Sequence, residues 1–382
     1  MNKSIFYVAF LLFGYAGFSQ KYEFHTLKDI EATPVISQDK TGTCWSFATT
    51  SFLEAEIIRL TGKKIDLSEM YNVRNTYLDK AENYVMRQGK AQYGEGGLSH
   101  DVINSARKYG VVPESNFIGK TTADLEYNHA KMVAELEAIV KKAVAETPKK
   151  YQNWKTDYTA VLDKYMGKFN ENEKIILPKL AIDNTKVVAT EKSLSPKQFL
   201  ATTNLNLEDY LTLTSFTNEP FYSKFILNIP DNFANGTFYN LPLDEFIQNI
   251  DNAINKGFTL ALDTDVSEAT FSAKNGIAVI PENETDSQVI LTEIKPEKKI
   301  TPEYRQTEFE NFDTQDDHLM HIVGKVEDQK GDVFYKVKNS WGTNSGRNGF
   351  VYMSVAYLRL KSISVMLHKD GLIKKTKTAL GV

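Results

Sequence analysis

The chain has a single cysteine, Cys44, among its 382 residues. One cysteine cannot form a disulfide within the chain, so the fold has to be stabilised by its hydrophobic core alone. Hydrophobic residues make up 42% of the sequence, enough for one large domain or two lobes. The formal net charge of −4 gives no indication of a nucleic-acid partner. The lone thiol therefore needs an explanation other than cross-linking.

The amino-terminal segment, MNKSIFYVAFLLFGYAGFSQ, has the pattern of a secretory signal peptide. Lys3 supplies a positive charge, and residues 5–13 form an apolar stretch too short to span a bilayer. Gly17 and Ser19 are small enough for a cleavage site, so we predict a signal peptide over residues 1–19. We expect export to a periplasm or the extracellular space, without stable membrane insertion. A buried amino-terminal strand or helix is the alternative.

A helical pattern begins at Cys44. Apolar residues recur at three- and four-residue spacing from Phe47 to Ile58, and Gly62 is a natural end for the helix. The free N–H groups and the positive dipole at the start of a helix favour a thiolate. Cys44 is therefore either a nucleophile or a small buried hydrophobic residue, and this segment alone leaves both open.

Two of the six histidines, His318 and His321, lie in the segment DDHLMHIVGKV, residues 316–326. We predict that this segment and residues 332–342 form two strands of a hairpin with a turn at Gly331. Because the side chains of a strand alternate between its faces, only one of these histidines can face a given cleft.

Polar groups that could assist a nucleophile lie in two other places. Asn339 closes the second predicted strand, where its amide could hold an imidazole in one tautomer, and Trp341 could shield that hydrogen bond from water. Gln38 lies shortly before Cys44, and its amide could donate to an oxyanion. Taken singly, Asn339 could be an ordinary turn asparagine and Gln38 an ordinary loop glutamine, without any role in catalysis.

Five motifs follow one another in the order that is typical of papain-like cysteine peptidases. They are Gln38 with CWSFA at 44–48, LSEM at 67–70, GEGGLSHDVINSARKYGVVPES at 94–115, DHLMHIVG at 317–324 and NSWG at 339–342. The chain resembles this family. The resemblance implies an α+β papain-like fold with a helical lobe, a β-rich lobe and an active-site cleft between them.

The resemblance also implies roles for individual residues. Cys44 would be the nucleophile, His318 the base and acid, Asn339 the residue that orients the imidazole, and Gln38 an oxyanion donor. His321 falls where the family has a small or apolar residue, so we expect a structural role for it.

Substrate binding is expected at Gly96, Gly97 and Trp341, where the two glycines leave room for an extended peptide to pair with the backbone. Peptides are the expected partners. The histidines are scattered and there is no second cysteine, so we expect neither a metal site nor a cofactor.

Within the family, the bleomycin hydrolase-like aminopeptidases are the most similar branch. The span from Ser19 to Gln38 is too short for the pro-segment of cathepsin-type members, and the span from Val112 to His318 is long, as in this branch. SPKQFL, at 195–200 within that span, resembles the T-P-K-E-F segment that opens a helix in this branch. Members of the branch are mostly cytoplasmic, and their C-terminal tail reaches into the cleft. Here the tail, KDGLIKKTKTALGV, is shorter and more basic.

We interpret residues 20–382 as one peptidase domain with a helical insertion at about 121–195. Amphipathic stripes predict a helical hairpin over about 125–168, and the polar segment 281–315 predicts a surface hairpin or loop. The expected activity is peptide-bond hydrolysis through a Cys44 thioacyl-enzyme, as an aminopeptidase. An open-cleft endopeptidase, a non-cleaving peptide-binding protein and an interaction protein are the alternatives. Assembly into a homo-oligomeric ring, as in the bleomycin hydrolase branch, is a further hypothesis.

Overall fold

The structure is a computed structural model that describes residues 21–122, 126–170, 175–177, 182–183, 186–187 and 192–382. The predicted signal peptide and parts of the predicted insertion lie outside the described residues. The helices are α1 Cys44–Thr61, α2 Glu69–Met86, α3 Ser99–Tyr109, α4 Ala130–Glu146, α5 Trp154–Met166, α6 Pro196–Thr202, α7 Leu243–Lys256, α8 Pro302–Glu310, α9 Val355–Lys361 and α10 Lys374–Leu380.

The strands alternate with these helices along the chain. They are β1 Phe24–Asp29, β2 Ile175–Leu177, β3 Ile182–Asp183, β4 Lys186–Val187, β5 Lys192–Leu194, β6 Tyr210–Thr214, β7 Lys224–Ile226, β8 Thr237–Asn240, β9 Leu260–Thr264, β10 Phe271–Ser272, β11 Ile277–Ala278, β12 His318–Asp328, β13 Val333–Lys338, β14 Phe350–Ser354 and β15 Ser362–His368. None of the helices in the described part of the chain is long and apolar enough to cross a membrane.

Helix α1 is the centre of a helical lobe. It is buried along most of its length and contacts α2, α3 and strand β12. Trp45 and Phe52 are fully buried in the core of this lobe. The helix ends at Gly62, which adopts a left-handed conformation with a φ of 69°, and the missing Cβ makes this conformation accessible. The predicted helix from Cys44 to Gly62 is confirmed.

A single mixed sheet forms the β-rich lobe. Among the described residues it has eleven strands, in the order β10-β11-β14-β13-β12-β9-β15-β6-β8-β7, with β1 paired to β12. Strands β12 and β13 are antiparallel, and Gly331 in the turn between them has a φ of 85°. The predicted hairpin is confirmed. A second hydrophobic core packs between this sheet and α7.

Strand β12 separates the two cores because its side chains alternate between its faces. Leu319 and His321 face α1, where Leu319 joins the first core and His321 contacts Ser51. Met320 and Ile322 join the second core, together with residues of α7. Helices α1 and α7 therefore lie on opposite faces of the sheet.

The C-terminal helix α10 packs against α7. Thr376 is fully buried, donates to Glu245 Oε1 over 2.5 Å and accepts from Asn249 Nδ2 over 2.8 Å. Leu380 and Val382 contact the second core. The described C-terminal residues thus lie across the sheet from Cys44, whereas the tail of the bleomycin hydrolase branch reaches into the cleft.

The region of the predicted insertion contains α4 and α5, which pack against each other and against α2. Each helix buries one apolar stripe, composed of Met132, Leu136, Val140 and Ala143 in α4 and of Trp154, Tyr158, Leu162 and Met166 in α5. These stripes join the first core, so the aromatic residues serve packing. Strand β2 pairs with β5, and β3 pairs with β4.

The interpretation of residues 281–315 as only a surface hairpin or loop is wrong, because helix α8 lies within this segment. Thr301 caps the helix by accepting from the backbone N–H of Tyr304, and Pro302 takes the first helical position. Arg305 is buried, and its guanidinium donates to backbone carbonyls of Ser215 and Ser362. These long-range hydrogen bonds anchor a segment whose composition is polar.

Candidate active site

The β12–β13 hairpin brings His318 and Asn339 together. His318 begins β12, Asn339 follows β13, and His318 Nε2 lies 2.8 Å from Asn339 Oδ1. Asn339 Oδ1 also accepts from the backbone N–H of Ser340 over 2.7 Å, which identifies it as the amide oxygen. His318 Nε2 must therefore carry a hydrogen, and the other ring nitrogen, Nδ1, is left as a base.

The imidazole of His318 is covered by Trp341. The two rings are tilted by 31° with centroids 4.7 Å apart, and His318 is buried. Burial lowers the pKa of His318 to about 4, while the hydrogen bond that His318 donates to Asn339 opposes this change. The imidazole is consequently neutral near pH 7 and able to accept a proton.

Cys44 is the first residue of α1 and is 8% exposed. Backbone N–H groups of Leu319 and Trp45 interact with the thiol. Because Leu319 directly follows His318 in the chain, this contact brings the sulfur to the backbone at the start of β12.

The N–H groups at the helix start act on the Cys44 thiol in the predicted direction, but burial acts against them and has the larger effect. Burial raises the pKa of the thiol to about 12, and it outweighs the two N–H groups that lower the pKa. A lone thiolate and a lone imidazolium are both disfavoured here. Transfer of the thiol proton to His318 Nδ1 creates both charges together and leaves the net charge unchanged, so the two residues form one chemical unit.

Gln38 is held close to the same loop as Asn339. Its Oε1 accepts from Ser340 Oγ over 2.6 Å, and its Nε2 donates to the carbonyl of Thr41 over 2.7 Å. Its backbone N–H also donates to Ser340 O over 2.9 Å. An amide nitrogen has two hydrogens, so one remains that could stabilise an oxyanion together with the N–H of Cys44.

The loop with the two predicted substrate glycines is fastened to the start of α1 through Glu95. Trp45 Nε1 donates to Glu95 O over 2.9 Å, and the N–H of Gly42 donates to Glu95 Oε2 over 2.7 Å. A Cβ at Gly97 would lie 3.1 Å from the Trp45 ring. Gly96 and Gly97 are thus brought to the site, and the missing side chain at Gly97 allows close packing on Trp45.

A carboxylate that sequence reasoning missed occupies the space at Gly96. A Cβ at Gly96 would lie only 1.9 Å from Asp231 Oδ2, so the carboxylate rests directly against this glycine. Lys80 Nζ donates to Gly96 O at the same place. Asp231 belongs to no recognisable motif. The sequence indicated only that a long segment separates Val112 from His318, and Asp231 lies in that segment.

His321 lies away from Cys44, behind the site. Its Nδ1 is 2.9 Å from Ser51 Oγ, about 10 Å along α1 from Cys44. Lys338 Nζ donates to the same hydroxyl over 2.8 Å. Burial holds the pKa of His321 well below its usual range, so it is neutral.

The described residues contain no group of three or more histidine, cysteine, aspartate or glutamate side chains that could hold a metal ion.

The arrangement of Cys44, His318 and Asn339, on a two-lobed α+β fold, defines a cysteine peptidase of the papain type.

The comparison with protein families identifies the group more closely. The model described as "Peptidase C1-like family" matches residues 17–381, and the chain belongs to this family.

Relatives with curated names are similar over most of their length. Aminopeptidase G of Lactobacillus delbrueckii subsp. lactis is 25% identical over 91% of this chain and 83% of that protein. Aminopeptidase C of Listeria monocytogenes is 23% identical over 91% of this chain and 82% of that protein.

A solved structure is similar in fold. PepW from Lactobacillus rhamnosis HN001 has a TM-score of 0.75 and 16% sequence identity, covering 94% of this chain and 84% of that one. The predicted papain-like fold and the resemblance to the bleomycin hydrolase-like branch are confirmed.

Proposed function

We propose that this protein is a cysteine aminopeptidase that acts on peptides with a free amino end through a Cys44 thioacyl-enzyme. The observation that carries the proposal is the His318–Asn339 hydrogen bond at the start of β12, where the next residue, Leu319, contacts the Cys44 thiol through its backbone N–H. The names of the relatives, aminopeptidases G and C, support the choice of an aminopeptidase.

The reaction follows from the protonation states of the free site. His318 Nδ1 takes the proton of Cys44 as the sulfur attacks the substrate carbonyl, and the carbonyl oxygen becomes an oxyanion. The Cys44 N–H and the free hydrogen of Gln38 Nε2 stabilise this charge. His318 then gives its proton to the leaving amine. Water, deprotonated by His318, attacks the thioacyl carbon and releases the acid and the thiol.

One observation favours a second candidate, an endopeptidase with an open cleft. Helix α10 packs on α7, across the sheet from Cys44, so the described C-terminal residues do not cover the site. If nothing else limits the cleft, a peptide could extend through it in both directions.

The two candidates are distinguished by matched fluorogenic peptides that have either a free or an acetylated amino end. We expect the wild type to cleave the free substrate under reducing conditions and Cys44→Ala to abolish this cleavage. Efficient Cys44-dependent cleavage of the acetylated substrate would establish the endopeptidase. Absence of Cys44-dependent cleavage across a broad peptide set would contradict both and leave a peptide-binding protein.

We further propose that the chain is exported, with residues 1–19 removed. The support is the pattern of a positive residue, a short apolar stretch and small residues before Gln20. Expression of the full chain in a bacterium with a periplasm should give a periplasmic product that begins at Gln20. A cytoplasmic product with the intact amino terminus would contradict the proposal.

Assembly into a homo-oligomer is a separate proposal, supported by the resemblance to the bleomycin hydrolase branch. Light scattering on the purified chain would detect a ring-sized mass, and a clean monomer would contradict the proposal.

A further inference from the structure

Three carboxyl groups from distant parts of the chain meet beside Cys44. Asp231 rests against Gly96, Asp263 lies in strand β9, and Asp316 precedes strand β12. The charges of Asp231 and Asp316 both raise the pKa of the Cys44 thiol, so both lie within electrostatic reach of the sulfur. Geometry places Asp231 near the same helix start, because it rests against Gly96 and the next residue, Gly97, packs on the ring of Trp45, which follows Cys44.

Asp263 and Asp316 form a carboxyl pair. Their side chains are hydrogen-bonded, and the backbone N–H of Asp231 also donates to Asp316. Burial and mutual repulsion raise the pKa of Asp316 to about 7 and the pKa of Asp263 well above its usual range. Such a pair holds one proton between its carboxyl groups, and its single negative charge forms as the pH rises through about 7.

Apart from the proton that the pair shares, Asp263 Oδ1 and Asp316 Oδ2 have no hydrogen-bond donor among the described residues. Asp263 is only 1% exposed. Buried polar atoms in native proteins are almost always hydrogen-bonded, and the shared proton meets this need within the pair. Asp231, which is partly exposed and rests against Gly96, is the carboxylate of the group that remains available to a substrate.

The local balance of charge is negative. Lys80 brings one positive charge, with its Nζ bound to Gly96 O and 5.2 Å from the centroid of the Phe233 ring. The carboxylates of Asp231, Asp101, Glu95 and Asp316 interact electrostatically with this ammonium group. One cation among several carboxylates leaves an excess of negative charge, which favours a second cation.

The loop that carries Asp231 is built to hold it in place. Asn232 is buried, and its Nδ2 donates to the carbonyls of Leu227 and Gly236 over 2.8 and 3.0 Å. Gly236 N–H donates back to Asn232 Oδ1 over 2.7 Å. Gln92 Nε2 lies 3.3 Å from Asp231 Oδ1. The carboxylate of Asp231 is thus positioned by its own loop and by Gln92, which lies just before Gly96 and Gly97 in the chain.

We propose that Asp231, backed by the Asp263–Asp316 pair, binds the α-ammonium group of the substrate and so limits the enzyme to free amino ends. A peptide extended along Gly96 and Gly97 would have to continue through the space that Asp231 occupies. A terminal residue needs no such space, and its ammonium group meets the carboxylate instead. This inference rests on the proposed aminopeptidase function. It assigns the restriction to free amino ends to the internal loop that carries Asp231 and not to the C-terminal tail.

A second ammonium group could in principle reach the same carboxylates, namely the lysine side chain of a longer, blocked peptide. In both cases a carboxylate binds an ammonium group, so the test has to distinguish the α-ammonium group from the lysine side chain. An acetyl-lysyl-alanyl substrate offers a side-chain ammonium without a free amino end, whereas an alanyl substrate offers only the α-ammonium group.

The test compares kcat and KM for alanyl, acetyl-alanyl and acetyl-lysyl-alanyl fluorogenic amides. Asp231→Asn removes the charge and keeps the shape, and Asp313→Asn removes an exposed carboxylate from the segment just before β12. We expect Asp231→Asn to lower kcat/KM for the alanyl amide about 10- to 100-fold, chiefly through KM, as for loss of one charged hydrogen bond. Cleavage of acetyl-alanyl amide should stay equal or rise, and Asp313→Asn should match the wild type.

Further readouts separate binding from structural damage. The rate at which iodoacetamide alkylates Cys44 reports whether the variant site is intact, and Asp231→Glu should restore part of the loss. If Asp231→Asn does not fold, Asp316→Asn provides the same comparison, with a smaller expected rise in KM for the alanyl amide.

Two results would overturn the inference. If Asp231→Asn keeps the wild-type preference for the alanyl over the acetyl-alanyl amide, the carboxylate does not bind the α-ammonium group, while the aminopeptidase function stands. If the wild type cleaves acetyl-lysyl-alanyl amide better than the alanyl amide, the carboxylates receive a side chain and the aminopeptidase function fails with the inference.

Discussion

Ser340 Oγ donates a hydrogen bond to Gln38 Oε1 over 2.6 Å and so ties the proposed oxyanion donor to the loop that carries Asn339. Both residues are buried, and Ser340 N–H also donates to Asn339 Oδ1. One residue thereby orients the amides on both sides of the nucleophile. The two lobes are coupled at the point where the reaction is proposed to occur.

Loss of this hydroxyl should reduce the rate of the chemical step. In Ser340→Ala, the Gln38 amide loses a partner and its Nε2 is less well directed, so we expect kcat to fall about 10-fold with KM little changed. Steady-state kinetics on the alanyl amide would measure this. Thr343→Ala removes an exposed hydroxyl from the same loop and serves as the control. A normal kcat in Ser340→Ala would show that Gln38 does not depend on this hydrogen bond.

The orientation of His318 should depend on Asn339. Asn339→Ala removes the acceptor of the Nε2 hydrogen, so the ring can turn or adopt the other tautomer, and we expect kcat to fall about 100-fold. The measurement is kcat and KM on the same amide, with the exposed Asn344→Ala as control. A variant within twofold of the wild type would show that Trp341 alone holds the ring.

Two buried groups of opposite charge, Glu54 and Lys338, are bridged by the Thr33 hydroxyl behind the site, beside a cavity of about 200 Å³. Glu54 accepts from Thr33 Oγ1 over 2.5 Å and from the N–H of Leu67 over 2.7 Å. Lys338 Nζ donates to Ser51 Oγ over 2.8 Å. Burial raises the pKa of Glu54 to about 7, and the charge of Lys338 opposes this rise. Each charge therefore depends on the other.

Breaking this pair should destabilise the protein more than replacing it. Lys338→Met leaves Glu54 buried without its cation, so we expect the free energy of unfolding to fall by about 3 kcal/mol. The double variant Glu54→Gln/Lys338→Met should recover part of this loss. Urea unfolding would measure both, and Lys336→Met, which removes a partly exposed pair with Asp29, should cost less than about 1 kcal/mol. Additive effects would show that Glu54 and Lys338 are not coupled.

Acid should destabilise the protein partly through His129. This residue is buried, and burial lowers its pKa to about 4 from the usual 6.5. The unfolded state then binds more protons between these values, so the contribution is present above pH 6.5 and is lost as the pH falls towards 4. Between pH 7 and pH 5 the loss is about 2 kcal/mol.

A variant comparison isolates this effect, because Glu114, whose pKa burial raises to about 7, acts in the opposite direction. The free energy of unfolding should fall by about 2 kcal/mol less from pH 7 to pH 5 in His129→Gln than in the wild type. His25→Gln, at an exposed position, is the control. Equal pH dependence in wild type and His129→Gln would contradict the assignment.

Much of the site could be predicted because its chemistry resides in short segments. The position of Cys44 at the start of a helix could be predicted from the apolar pattern that follows it and from Gly62, which ends the helix. The hairpin that contains His318 could be predicted from the two strand patterns on either side of Gly331. Helix α8 could also have been found, since Thr301 and Pro302 form a capping sequence, but the polar composition of the segment concealed it.

The protonation states could not be predicted from the same segments. The start of α1 favours a thiolate by its local N–H groups, whereas burial of Cys44 raises the thiol pKa to about 12. Burial depends on every element that covers the sulfur, including β12 from the far end of the chain. The rule that a helix start lowers the pKa of a thiol was correct in direction, but this effect is smaller than the effect of burial.

The sequence by itself determined the start of α1 and the β12–β13 hairpin, because backbone propensity and side-chain alternation act over a few neighbouring residues. The order of its motifs carried the resemblance to the papain-like family, which implied the roles of the site residues. Only the tertiary structure decided that Asp231 rests on Gly96 and that α10 lies across the sheet from Cys44. These placements join segments far apart in the chain, and their stability comes from burial and charge in the assembled core, which no single segment contains.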